Sequence, residues 1–554
     1  MADATFDAVL IGGGNKLLAT AVYLAKYGGM KVAMFERRHE IGGALAGEEA
    51  AVPGFATETH ISFIQGPWYW EPIFRDFPDF EEKGGKLGHY LGGGAIITKE
   101  DQRCHIDYHE LEDPSGERVL KSVAEFAGEK DAETYHKIME LNKTGGPLWT
   151  ALREELFNPP PPPGTPRAMA RWFDDYLKQP DCLADESWRL KRLYHAAREL
   201  WDSPGMIYHH LRGMKSAGGQ SGHMCGGLAL LLLTKMYLFR ESMFVVGGTH
   251  NIAHAYAKIL LQNGGQFFTK KHVDKILVEN GRATGIRLAD GSEVRATQLV
   301  VSGLSPFQLV FDLLGEEHVS ARIRKKISCL SRREHMINWS PFAVREMPQY
   351  LASGFNPDIQ KCQQVHLGTT DTDDLVTEDY WRLLDKHHPG ASLNVMSSHS
   401  VFDKSQAPDG KGVFMVEEEE IPANLLTERQ WMARHQEWIE KVVTVMREYA
   451  PNVTWDNIIG YYPNSPFMCS RRNINTGPEG MLSILDTLPG QTYPWRPIPE
   501  LARHKVPEIE RLYCTGSGWG FGAGGCCGEG YNCYKIIAGD MDLRKPWEET
   551  GSPW

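Results

Sequence analysis

Three consecutive glycines, Gly12, Gly13 and Gly14, with an acid, Glu36, 22 residues beyond the last, are the residues whose spacing most directly implies chemistry. Gly12 permits a sharp turn, Gly14 lets the backbone approach a pyrophosphate, and the following helix presents its N–H groups and positive dipole end to that anion. The Glu36 carboxylate is placed to accept hydrogen bonds from ribose hydroxyls. The elements needed to hold these residues are legible on either side. Residues 8–11 form an apolar strand, Leu18, Ala21, Val22 and Ala25 recur at helical spacing, Gly28 and Gly29 end that helix, and residues 31–35 form a second buried strand. One position departs from the G-x-G-x-x-G pattern: the third small residue, which allows a helix to pack closely on its strand, is Leu17, preceded by Lys16.

The chain has 554 residues, enough for two or three domains and a buried cofactor, and a formal net charge of −12 with no long basic tract, which argues against a nucleic-acid partner. The first strand starts too near Met1 to leave room for a secretory signal, so a cytoplasmic location is expected. Ten cysteines lack paired CxxC or Cys/His zinc spacing and are expected to be reduced and buried, with no metal. The longest apolar run, residues 228–239, is interrupted by Lys235 and too short to span a bilayer. It reads as a buried or interfacial helix, and the expectation of a peripheral membrane contact rests on it.

Further along, the aromatic run at Trp68, Tyr69 and Trp70 reads as a core anchor. Residues 75–245 lack strand–helix alternation and read as a helical insertion, with the polyproline stretch 158–166 as an exposed spacer within it. A glycine turn into an amphipathic helix at 245–265, a hairpin signal at 279–282 and a buried strand at 298–302 restore the earlier pattern. The acidic run Glu417, Glu418, Glu419, Glu420 reads as a solvated face, because consecutive carboxylates on a strand point to opposite sides. A long helix is expected at 428–449, and residues 511–540 read as strand, dense glycine loop and helix.

Together these segments resemble the phytoene desaturase-like flavoproteins of the glutathione-reductase-type FAD superfamily. The resemblance is carried by Gly12, Gly14, Glu36, Gly42 and Gly43 at the start, by the Gly247–Gly285 pattern in the middle, and by RPIPEL, LYCTGSGW and a glycine loop ending in GYN at 530–532. It covers about 40% of the chain and implies an α/β fold, a Rossmann-like FAD-binding domain interrupted by a mixed α+β substrate domain. The boundaries follow: FAD domain at 1–70, 245–305 and 481–554, substrate domain at 71–244 and 306–480. Cys526 and Cys527 stand where the family has glycine and small apolar residues.

The resemblance implies FAD held by Gly12, Gly13, Gly14, Asn15, Glu36, Arg37, Gly42, Gly43, Val273, Gly516, Gly524, Gly530, Tyr531 and Asn532. The helix beginning near Tyr531 would aim its positive end at the flavin. Candidate proton-handling groups are His60, Cys526, Cys527, Glu529 and Tyr531, each with a structural reading at least as strong: a hydrogen-bonded loop His, buried small thiols, a capping Glu and a packed Tyr. The implied activity is hydride transfer at flavin N5 that desaturates, saturates or isomerises a C–C bond of an apolar, terpenoid- or carotenoid-like substrate, with an unidentified electron acceptor. Alternatives are a flavin amine or alcohol oxidase, or a flavin-free prenyl-binding carrier of the GDP-dissociation-inhibitor type.

Overall fold

The computed structural model describes residues 4–64, 66–162, 164–368, 371–386, 392–396, 399–520 and 525–554; the side chains of 217, 218, 235–237 and 399 lie outside it. β1 (Ala4–Ile11), α1 (Asn15–Lys26) and β2 (Val32–Phe35) form the opening unit. Every residue of α1 except Lys26 is buried, so this helix is a central element rather than a surface one. β1 lies parallel between β2 and β3 (Glu293–Ser302), with Ile11 in register with both Phe35 and Ser302. The strand Leu512–Cys514 adds parallel to β3, and Val273–Glu279 and Arg282–Leu288 form an antiparallel hairpin at one edge of this seven-stranded sheet. The aligned carboxyl ends of β1, β2 and β3 create the crevice where parallel sheets bind ligands.

A second seven-stranded sheet runs in the order Ile458–Tyr461, Met336–Val344, Gly412–Glu420, Leu393–Met396, Cys362–Gly368, Gly92–Thr98, Cys104–Tyr108. Its last two strands come from the segment read as helical. Glycines at 92, 93 and 94 hid the first from any pattern of strand formers, yet that strand must carry glycine: a Cβ at Gly93 would lie 1.6 Å from the Phe239 carbonyl oxygen. The run 228–239 divides into a 3₁₀ turn, Leu228–Leu231, and a helix, Leu232–Arg240. Leu228, Ala229, Leu232, Leu233 and Phe239 are buried in the core. No described helix is long and apolar enough to cross a membrane.

The acidic run corrects the sequence reading outright. Glu417, Glu418, Glu419 and Glu420 end the strand Gly412–Glu420 and are each at most 2% exposed. They do alternate between faces, but both faces are covered. On one side Glu418 pairs with Lys441 and Glu420 with Arg434, both from helix Glu428–Tyr449; on the other Glu419 meets Arg382 and Glu417 lies 3.6 Å from Arg212. Buried carboxylates persist only with such partners.

Candidate functional site

The turn after β1 is fixed by two backbone bonds, Gly12 N–H to the Phe35 carbonyl (2.8 Å) and Gly303 N–H to the Ile11 carbonyl (2.9 Å). Gly12 sits at φ +102°, a region closed to most L side chains. Gly14 begins α1 with no capping side chain, and the first turn holds no acid. Among the described residues no side chain caps this helix end, so its N–H groups are available to an anion. A Cβ on Gly43 would come within 3.0 Å of the Gly14 Cα, so the Gly42, Gly43 turn closes over the glycine turn at a distance only glycine allows.

A cleft of about 1100 Å³ opens here, lined by Gly12, Gly13, Gly14, Glu36, Arg37, Gly43 and Val273. Gly42 stays behind it, its N–H bonded to the Gly13 carbonyl (2.7 Å). One Glu36 oxygen accepts the Arg38 N–H at 2.7 Å, while a Cβ on Gly13 would lie 3.1 Å from the other. Burial pushes the Glu36 pKa upward against the backbone N–H groups of Arg38, Gly13 and Arg37, which favour the carboxylate. A narrower recess of about 70 Å³ continues the cleft past Asn15, Lys16, His60, Ile61, Gly516, Ser517 and Gly518. The two share Gly14, Gly43, Gly303, Leu304, Ser305, Asn473 and Asn475 as walls and so form one trench.

The trench fits a dinucleotide cofactor on an observation independent of any motif. Among the described residues, four buried polar atoms of its lining have no hydrogen-bond partner: Asn15 Oδ1, His60 Nδ1, Gln308 Oε1 and Arg472 Nε. Buried polar atoms are ordinarily satisfied, and a line of exceptions along one trench is what a polar ligand would satisfy.

Leu17 finds its place through a compensating glycine. A Cβ at Gly303, just beyond β3, would lie 2.9 Å from Leu17 Cδ2 and 3.0 Å from Leu17 Cβ. The small residue needed at the crossing of α1 over the sheet is thus present, but on the strand side. Helix Gly528–Met541 packs on α1 through another glycine: a Cβ at Gly530 would lie 2.0 Å from the Lys16 carbonyl oxygen, and Thr20 Oγ1 donates to the Gly530 carbonyl at 2.9 Å.

The C-terminal candidates separate. His60 lines the recess, and burial holds its pKa down at about 4, so it is neutral at neutral pH. Cys526 and Cys527 are buried free thiols whose sulfurs lie 3.6 and 3.3 Å from the Tyr69 carbonyl oxygen, and burial raises both pKa values. Tyr531 points into a cluster with Tyr23, Phe157 and Trp547, its hydroxyl accepting from Arg75 at 3.0 Å. Asn532 donates to the Leu156 carbonyl at 2.9 Å, and Glu529 is buried against Gly520. None of these five lines either part of the trench as Gly516 does. Gly524 lies outside the described residues.

Sequence reasoning missed residues contributed from elsewhere. Gly303, Ser305, Arg332, Arg472, Asn473 and Asn475 line the trench without belonging to any motif. Arg496, in the RPIPEL segment, is buried and donates to the carbonyls of Ser483, Leu485, Asp486, Gln491 and Ser517, tying the 483–491 loop to the recess. Among the described residues one buried group, His105, Asp107 and His209, has the atoms to hold a metal ion. His105 and Asp107 stand on the strand Cys104–Tyr108 of the second sheet and His209 on the helix Pro204–Gly218, and Asp107 already accepts hydrogen bonds from His105 (3.1 Å), His209 (2.9 Å) and Tyr135 (2.6 Å).

No family model matches the chain. The mouse pyridine nucleotide-disulfide oxidoreductase domain-containing protein 2 is 26% identical over 97% of this chain and 94% of its own length. A limonene dehydrogenase polypeptide of Castellaniella defragrans is 23% identical over 98% and 96%. Hydroxyneurosporene desaturase of Cereibacter sphaeroides is 28% identical over 56% and 58%. Among solved structures, an oxidoreductase from Methanosarcina mazei (TM-score 0.57, 15% identity, 96% and 99% coverage) and cyclohexylamine oxidase from Brevibacterium oxydans (0.54, 14%, 97% and 99%) share the fold. By fold, trench and relatives, the chain is an FAD-dependent oxidoreductase similar to the phytoene desaturase-like enzymes.

Proposed function

We propose that the protein acts on a C–C bond of an apolar, terpenoid-like substrate, by desaturation, saturation or isomerisation, and passes electrons to a separate acceptor. The observation that carries this reading is an apolar wall beside the recess. Phe63, Ile337, Trp339, Met396 and Met415 pack together with Leu482, and Leu482 also lines the recess. When bound, FAD supplies hydride acceptance or donation at its flavin ring. The chain supplies position and environment. Gly12, Gly13, Gly14 and the start of α1 hold the pyrophosphate, Glu36 the ribose, and the backbone near Val273 the adenine side. The aromatic and methionine side chains hold the substrate and exclude water, and neutral His60 offers a ring nitrogen to a proton in the recess.

A second reading, oxidation of an amine or alcohol, is favoured by one feature of the same sheet face. Glu417 stands in register with Trp339 and with Asn394, and burial raises its pKa to about 7 despite nearby Arg212. A polar group at one end of a substrate would meet it. Anaerobic mixing of the holoprotein with monoterpenes, carotenoids, amines and alcohols tests both readings. Bleaching of the flavin by a terpenoid supports the first; bleaching by amines or alcohols alone replaces it with the second.

A further inference from the structure

The nucleotide unit is one wall of the trench; the other belongs to a segment that no nucleotide motif covers. Helix Pro466–Arg472 and the 3₁₀ turn Ile474–Thr476 follow the edge strand Ile458–Tyr461 of the second sheet. They bring Ser470, Arg472, Asn473 and Asn475 to the trench, and the two asparagines line it on both sides of Gly14, where its two parts meet. The segment is anchored there, since Asn475 Oδ1 accepts the Ser305 N–H at 2.8 Å and Asn473 Oδ1 accepts the Asn475 N–H at 3.0 Å.

Arg472 is the charged member of this wall. Its side chain is 12% exposed, and its guanidinium pairs with Glu48, which also faces Arg38 at 3.4 Å. Its Nε is one of the buried atoms without a partner. The other arginine on this side, Arg332, has less to offer: it pairs with Glu479 at 2.9 Å and its guanidinium carbon lies 3.8 Å from the centre of the Phe307 ring. Arg472 therefore combines a lining position with a donor that its ion pair to Glu48 leaves unused. Burial and the neighbouring Arg38 both disfavour its cation, lowering its pKa to about 10, an environment that an added anion would relieve.

We propose that Arg472 is a positioning residue for the cofactor's diphosphate, gripping it from the face opposite Gly12, Gly13 and Gly14, with Asn473 and Asn475 beside it. The diphosphate then joins the nucleotide unit to the segment that carries the second sheet's edge. Guanidinium–phosphate bonds are charge-assisted and directional, so this grip adds affinity that the α1 terminus alone does not supply. The inference rests on FAD being the cofactor.

The test measures binding to the FAD-depleted full chain, by flavin fluorescence for FAD and by calorimetry for ADP and riboflavin. Arg472→Gln should weaken FAD and ADP alike by roughly 10-fold or more, the scale of one charge-assisted hydrogen bond, and leave riboflavin unchanged. Arg472→Lys should restore part of the loss. Glu48→Gln breaks the same ion pair from its other end, so it should leave FAD affinity near that of the parent, and the thermal midpoint without FAD checks that both variants fold. Arg472→Gln binding FAD and ADP as the parent does, or Glu48→Gln losing affinity equally, would overturn the assignment. If the Glu36→Ala variant is weakened while Arg472→Gln is not, the cofactor reading stands and the clamp falls; a parent chain that binds no FAD overturns both.

Discussion

Leu17 and Gly303 make a reciprocal pair, and exchanging their sizes tests whether the glycine of the nucleotide fingerprint has moved across the interface. Leu17 is 1% exposed, so truncation to glycine removes a fully buried side chain from between α1 and β3. Large-to-small core changes cost about 2–5 kcal/mol, and glycine within a helix adds about 1, so Leu17→Gly should cost about 3–6 kcal/mol. Gly303→Ala places a methyl 2.9 Å from Leu17 Cδ2, an overpacking worth about 1–3 kcal/mol. In the double variant that methyl enters the space Leu17 has left. Leu17→Gly/Gly303→Ala should therefore be about as stable as Leu17→Gly alone, a coupling of about 1–3 kcal/mol, the size seen for touching residues. Scanning calorimetry of the three variants reads this as midpoints, at about 2–4 °C per kcal/mol for a domain of 150–250 residues. A Leu17→Gly variant within about 2 °C of the parent, or a double variant no better than the sum of its parts, would refute the compensation.

Glu36→Ala should lower the flavin retained through purification, with the thermal midpoint of the FAD-free chain unchanged; retention equal to the parent would show that the carboxylate serves only the Arg38 N–H. Cys526→Ala/Cys527→Ala should turn over within a few-fold of the parent, because burial keeps both thiols protonated and both face the Tyr69 carbonyl; a loss of about 100-fold with flavin intact would restore a proton-transfer role. Burial raises the pKa of Glu241, bonded to Trp68 Nε1 at 2.6 Å, from an ordinary 4.5 to about 8. Its contribution is present below its ordinary pKa and is lost as pH rises through about 8, at up to roughly 1.4 kcal/mol per pH unit. Glu241→Gln should flatten that decline between pH 5 and 8 in thermal scans, and an unchanged slope would count against it.

The local parts of the trench were legible because each rests on a short-range rule. Strand, glycine turn, helix and acid in residues 7–43 leave few other folds, and the helix expected at 428–449 forms as Glu428–Tyr449. What stayed hidden depends on contacts distant in sequence. Nothing near Leu17 announces Gly303, and nothing near Gly14 announces Arg472 or Asn475. Residues 417–420 show the same limit from the other side: alternation was right, but which faces are covered is decided by Arg212, Arg382, Arg434 and Lys441 on three separate helices. Strand Gly92–Thr98 opens with three glycines that pattern rules read as loop, because the close approach of the chain at Phe239 is invisible locally.

The visible absorption spectrum of the purified protein, with released flavin quantified after denaturation, tests the central claim most directly. The trench, its unpartnered polar atoms and the glycine turn predict flavin bands at about one equivalent of FAD per chain, restored when FAD is added back to the stripped protein. A folded protein that is colourless and takes up no FAD on reconstitution would contradict the account.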